Sequence, residues 1–321
     1  MFPLRASIPR AGPSAALTSR SAPPRLTFKP VEPEFRKARG AAVSKDRAVI
    51  TGKVVLITGG SSGIGRACGI YLADRGFATY AAARSLGAGS FPERSRLHGL
   101  RMDVTDEESV RAAIDHVLQE EGRLDAVVNC AGYGIGGAVE ATSIDEAWRQ
   151  FDTNFFGILR VCRAVLPALR EQRSGLIVNV SSLAGRIGLP FQGLYSSTKF
   201  AIEGLTEALR MEVKPFGIRV CLVEPGDFRT GFTASRRRVE TEEGSAYRDA
   251  CDRGLAAAES DELGGASPDL VAKLLLRILR SRSPKLRYTV GSLSQRLSAW
   301  IKPLLPASLF EREVMRHYKV L

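Results

Sequence analysis

The sequence predicts an α/β fold: a doubly wound parallel sheet in a single domain, with a helical C-terminal extension. Three observations carry that expectation. Short apolar runs rich in β-branched residues recur along the chain, as strands buried on both faces require. Stretches of helical periodicity separate them, the pattern of βαβ units. A glycine-rich turn follows the first run and precedes the first helical stretch, the place where such folds hold phosphates.

Residues 53–57 (Lys-Val-Val-Leu-Ile) open the domain as a strand, and a helix is expected around residues 66–75. Residues 77–83 and 97–103 read as the second and third strands. Residues 106–120 form an amphipathic helix with Val110, Ile114, Val117 and Leu118 on one side. A fourth strand covers 124–129, a long helix 145–172, and a fifth strand 175–180. Residues 195–214 are helical and 217–223 give a sixth strand. Residues 228–266 are polar, broken by Gly264-Gly265, and read as an irregular lid. A helix over 268–279 and a strand over 286–290 close the domain, expected to span residues 51–292. Residues 293–321 read as short helices over 293–301 and 307–317, separated by Pro303 and Pro306.

Composition narrows the function. The formal net charge is +12, but residues 1–50 hold ten Lys/Arg against three Asp/Glu, so much of the excess lies outside the domain. No nucleic-acid partner is expected. A basic N-terminal nucleic-acid binder is the reading against which this stands, and it predicts a steep salt dependence. Five cysteines lack any C-x-x-C pair and read as buried free thiols. The three histidines show no metal-ligand spacing, so no metal is expected. Residues 1–31 carry five basic and no acidic residues, four serines and six prolines. The protein is expected to be cytoplasmic, with residues 1–50 a disordered or targeting extension. The alternative, a mitochondrion or plastid, follows if residues 1–31, whose composition resembles a transit peptide, act as one.

The turn after the first strand reads Thr58-Gly59-Gly60-Ser61-Ser62-Gly63-Ile64-Gly65. Glycine lets the backbone take left-handed angles and lets phosphate oxygens come close. The helix that follows points free N–H groups and its positive dipole end at a pyrophosphate. The G-x-x-x-G-x-G spacing differs from the more common G-x-G-x-x-G.

Here the sequence resembles the short-chain dehydrogenases/reductases, a Rossmann-like family, from about Lys53 to Gly291. Asn129-Cys130-Ala131-Gly132 resembles the family's N-N-A-G stretch beside the adenosine, with Cys130 in place of the second Asn. Asp103-Val104 resembles the pair that frames the adenine. Pro225-Gly226-Asp227-Phe228-Arg229-Thr230 resembles the P-G-x-x-x-T segment that caps the nicotinamide amide and pyrophosphate. The resemblance implies cofactor contacts from Thr58, Gly59, Ser61, Ser62, Gly63, Ile64, Gly65, Asp103, Val104, Asn129, Ala131, Gly132, Pro225, Gly226, Phe228 and Thr230.

The end of the second strand reads Tyr80-Ala81-Ala82-Ala83-Arg84-Ser85. No acid is present there to hold a ribose 2′-OH, and Arg84 stands where a guanidinium fork fits a 2′-phosphate. NADP(H) is expected over NAD(H), although Ser62 is not basic as in many NADP users.

Tyr195 and Lys199 share a helix face at i, i+4. A free tyrosine has a pKa of about 10, and a nearby ammonium is expected to lower it. Ser182 follows the fifth strand, at the carboxyl end where α/β sheets form their ligand crevice. Together they suit proton transfer to or from a carbonyl/alcohol oxygen, with Tyr195 as acid or base and Ser182 holding that oxygen. The resemblance further implies that Lys199 bonds the nicotinamide ribose, and that Asn154 supports a water and proton relay to Lys199. Arg149, Asp152 and Glu224 are read as structural.

The segments 184–191, 195–201 and 286–291 resemble family members acting on steroids, retinoids and other lipophilic alcohols. Leu189 and Phe191 read either as pocket or as core. The family usually assembles as homodimers or homotetramers through the helices carrying Asn154 and Tyr195. The tail around Trp300 is expected to pack on its own domain or a subunit partner rather than on a membrane. Two other readings stand beside the main one. A 3-oxoacyl reductase would use Arg236-Arg237-Arg238 to dock an acidic carrier, and a non-catalytic NADP-binding sensor or scaffold would dispense with the catalytic residues.

Overall fold

The computed structural model describes residues 52–91, 96–240 and 244–321. The chain divides into Met1–Arg47 and Ala48–Leu321. The first unit, and with it the expected targeting or disordered extension, lies outside the described residues.

Seven strands form one sheet: β1 (Val54–Thr58), β2 (Ala78–Ala83), β3 (Leu97–Arg101), β4 (Ala126–Asn129), β5 (Gly175–Val180), β6 (Ile218–Pro225) and β7 (Arg287–Val290). All pair in parallel, in the order β3-β2-β1-β4-β5-β6-β7. The helices are α1 (Gly63–Ala73), α2 (Glu107–Glu121), α3 (Ile144–Phe151), α4 (Gly157–Glu171), α5 (Gly193–Val213), α6 (Phe232–Ser235), α7 (Arg248–Leu263), α8 (Asp269–Arg280), α9 (Leu293–Ile301) and α10 (Ala307–His317).

The inner strands β1, β4 and β5 read as mostly apolar runs because both faces are covered, whereas the edge strands β3 and β7 carry polar residues and are only partly buried. Val54 and Leu56 enter one core, with α2, α4 and α5. Val55 and Ile57 enter the other, with Cys68 and Leu72 of α1 and the buried face of α8. The period-2 pleat sends successive side chains to opposite faces, so one strand seeds two cores. The strand order reverses between β1 and β4, and ligands enter at the carboxyl ends beside such a reversal.

Two expectations need correction. The helix expected over 145–172 is α3 and α4 joined by a π-helical turn, Asp152–Phe156. Hydrophobic periodicity does not register one extra residue in one turn. The segment 228–266 is not an irregular lid, since it contains α6 and α7. The apolar stripe of α7, with Cys251, Leu255 and Ala258 buried, is narrow among charged neighbours, and polarity hid it. Ile135–Gly136 pairs with Arg237–Arg238 in a short parallel ribbon that ties this segment to the rim of the sheet.

All five cysteines are free; four are buried and Cys130 is half-buried. No helix among the described residues is long and apolar enough to cross a membrane.

Candidate active site

A cavity of about 870 Å³ opens at the carboxyl ends of the strands. It gathers most of the residues the sequence singled out. The turn residues Gly59 and Ser61–Gly65 line it, with Arg84, Asp103 and Val104 at one end and Ser182, Tyr195 and Lys199 at the other. Ala131, Gly132, Pro225, Gly226, Phe228 and Thr230 lie between them on its wall. A more open concavity of about 470 Å³ beside α1 and α8 contains none of Ser182, Tyr195 and Lys199.

The turn fits a pyrophosphate in detail. Gly63 sits at φ 52° at the head of α1, an angle that side chains rarely adopt. A Cβ on Gly65 would collide with the carbonyl of Gly59. Gly65→Ala is therefore expected to push the turn apart. The expected cost is about 1–3 kcal/mol of stability and at least about tenfold in dinucleotide affinity. Thermal unfolding and a fluorescence titration check both.

At the end of the cavity beside β2, Arg84 follows that strand without an acidic neighbour on it. Burial alone would raise the Asp103 carboxyl. The hydrogen bonds from the Thr105 amide and hydroxyl, at 2.9 and 2.7 Å, and the Arg84 and Arg160 guanidiniums bring it below its usual value.

At the other end, α5 places Tyr195 and Lys199 one turn apart, both buried. The Lys199 ammonium donates to the Val180 carbonyl at 3.0 Å and lies 5.7 Å from the centre of the Tyr195 ring. Burial lowers its pKa to about 8, against the opposing pull of Cys130 and Glu203. Tyr195 departs from the expected direction: its pKa is pushed up to about 12. Burial is the main cause. Glu262 and Asp227 add to it, while a hydrogen bond from Ser182 and the charge of Arg236 oppose it. Ser182 also caps a short 3-10 turn, its hydroxyl accepting from the Ala184 amide at 3.1 Å.

Three predicted residues stand behind the wall rather than on it. The buried Thr58 hydroxyl accepts from the Cys130 and Ala131 amides, both at 3.0 Å, and so fixes β1 to the loop after β4. Asn129 donates to Asn179 at 2.8 Å between β4 and β5. Asn154, in the π turn, accepts from the Tyr133 amide and donates to the Tyr133 carbonyl and the Thr198 hydroxyl. It braces the cavity loop against α5 one residue from Lys199. Leu189 lines the cavity. Phe191 instead packs near Gly254 and Val320.

Other wall residues escaped the sequence reading. Arg149 and Asp152, taken as structural, line the cavity, as do Asp227, Phe232, Glu262 and Tyr318. Glu224 is structural as expected, buried against Arg186, Arg287 and the Thr289 hydroxyl. Each of the three consecutive arginines meets a carboxylate: Arg236 with Glu262, Arg237 with Glu146 and Arg238 with Asp252. They do not form a free basic patch.

Comparison with known proteins agrees with this geometry. Residues 53–241 match the family described as short chain dehydrogenase. A 3-ketodihydrosphingosine reductase of Bacteroides thetaiotaomicron is 40% identical over 271 residues, 84% of this chain and 98% of that protein. A short-chain dehydrogenase from Streptomyces avermitilis superposes with a TM-score of 0.71 at 33% identity, over 83% of this chain and 98% of that one. A short chain dehydrogenase/reductase from Burkholderia phymatum, in complex with NAD, superposes with a TM-score of 0.67 at 25% identity, over 80% and 96%.

Proposed function

The chain belongs to the short-chain dehydrogenase family, and on that premise we propose that it is an NADP(H)-dependent reductase of a lipophilic ketone. The observation that carries this reading is one cavity holding the glycine turn, Arg84, Ser182, Tyr195 and Lys199. When bound, the nicotinamide supplies the hydride that adds to the carbonyl carbon. Ser182 and Tyr195 hold the carbonyl oxygen through their hydroxyls. Tyr195, with a pKa near 12, is protonated at neutral pH and gives its proton to that oxygen, which is the acid role that reduction needs. The Lys199 ammonium and the Ser182 hydroxyl stabilise the phenolate left behind.

The wall from Leu189 through Phe232 and Ala258 to Tyr318 suits an apolar substrate. 3-Ketodihydrosphingosine is a long-chain amino ketone, and the relative that bears its name supports a long-chain ketone for this chain. Self-association through α4 and α5 belongs to the same reading. Phe200 and Met211 of α5 are exposed, and sedimentation of the full chain tests it.

Arg84 is the residue assigned to the 2′-phosphate. Wild type is expected to bind NADPH more tightly than NADH. Arg84→Ala should weaken NADPH roughly 10- to 100-fold, the worth of a charge-assisted bond, and leave NADH nearly unchanged. Equal affinity for the two cofactors in wild type would contradict the assignment.

A further inference from the structure

The substrate end of the cavity has an uneven charge balance. Asp227, Glu262 and Tyr195 all line it. Asp227 follows β6, while Asp261 and Glu262 come from the end of α7. Glu262 meets the Arg236 guanidinium, with side-chain exposures of 11% and 4%, and also accepts from the Thr233 hydroxyl. Asp261 meets His317 Nε2 at 2.7 Å, a pair that is ionic only when the imidazole is protonated. Asp227 has no such partner among the described residues. Its carboxylate accepts only from the neutral Gln295 amide, at 2.5 Å, and its own backbone N–H donates to Gln295 Oε1 at 3.3 Å.

Two other cations of the cavity wall are turned to other partners. Arg237 pairs with Glu146, and the Lys199 ammonium is turned to the Val180 carbonyl. A carboxylate removed from water without a counter-charge is costly, and a cation brought by a ligand offsets that cost. The strain is visible in the Asp227 pKa, which rises to about 6. Burial is the largest cause, Asp261 and Glu262 add to it, and His317 and Arg236 oppose it. The negative charge of Asp227 in turn reaches Tyr195, the residue that meets the reacting carbonyl.

We propose that Asp227 receives a protonated amino group of the substrate, so that the preferred substrates are long-chain ketones carrying an ammonium close to the reacting carbonyl. The proposal rests on the reductase reading above. In it, Tyr195 and Ser182 fix the oxygen, Asp227 fixes the ammonium, and Gln295 of α9 holds the Asp227 carboxylate in place. The C-terminal extension thus takes part in specificity, through Gln295 and through Tyr318 on the cavity wall.

The test compares NADPH-driven reduction of a long-chain 2-amino-3-ketone with that of its N-acetylated, uncharged counterpart by the full chain at pH 7. Wild type is expected to favour the amine at least about tenfold in kcat/KM, the worth of one charged contact. Asp227→Asn should bring the two ketones together by raising KM for the amine. In wild type the preference should also fade as pH falls through about 6 and Asp227 takes up its proton. Equal use of both ketones by wild type overturns this inference and leaves the reductase reading standing. Reduction of neither, with NADPH bound, overturns both. If Asp227→Asn fails to fold, wild type decides: dodecylammonium should inhibit competitively far more strongly than dodecanol, and equal inhibition overturns the proposal.

Discussion

Tyr195→Phe is expected to lower turnover by roughly 10²- to 10⁴-fold, the usual worth of a positioned general acid, while NADPH still binds. The change removes one oxygen and keeps the ring, which packs 5.5 Å from that of Phe232. The buried hydroxyl is held protonated, with a pKa near 12, by burial and by Glu262 and Asp227, against the pull of Ser182 and Arg236. It is a weak acid, yet the alkoxide formed by hydride addition is a stronger base than a phenolate, so the proton moves downhill. Without the hydroxyl, Ser182 still holds the carbonyl but nothing protonates it. Steady-state rates with a long-chain ketone, beside a fluorescence titration with NADPH, separate the two effects. Unchanged turnover would remove Tyr195 from the chemistry.

Lys199→Met is expected to cost roughly 10²- to 10³-fold in turnover, as for loss of one preorganised electrostatic stabiliser. Burial has already lowered the Lys199 pKa to about 8. The wild-type rate should therefore fall as pH rises through about 8 and the ammonium is lost, and the variant should lack that limb. Stability gives an independent check of sign. Between about pH 8 and the unperturbed value of 10.5, the unfolded chain binds the proton that the folded chain has released. Lys199 alone therefore contributes stability that grows with pH across that window. Above about 9 the buried cysteine thiols, whose pKa values burial raises, work the other way. The wild-type curve minus that of Lys199→Met should rise between about pH 8 and 10.5. A pH-independent rate in wild type up to pH 10 would contradict the role given to the ammonium.

The fold was legible where burial on both faces writes itself into sequence. Residues such as Val54–Ile57 must be apolar at every position because each face meets a core, so the inner strands stand out. The pairing of Tyr195 with Lys199 was legible because the helix repeat sets them one turn apart on one helix. The π turn at Asp152–Phe156 was not, since one extra residue in a turn leaves no periodic trace. Helix α7 was hidden by the narrowness of its buried stripe. The direction of the Tyr195 shift was missed for another reason. Sequence shows the neighbouring lysine, whereas burial and the carboxylates of Asp227 and Glu262 arrive from segments distant in the chain. Gln295 and Tyr318, which return from the C-terminal extension to the cavity, are likewise invisible to local spacing. Thr58, Asn129 and Asn154 stand out in the sequence, but their side chains brace the cavity wall from behind.

Single-turnover oxidation of NADPH by the full chain with 3-ketodihydrosphingosine tests the central claim most directly. The account predicts that alcohol appears in step with NADPH consumed, and that Tyr195→Phe binds NADPH without oxidising it. NADPH bound by wild type but left unoxidised in the presence of the ketone would contradict the account.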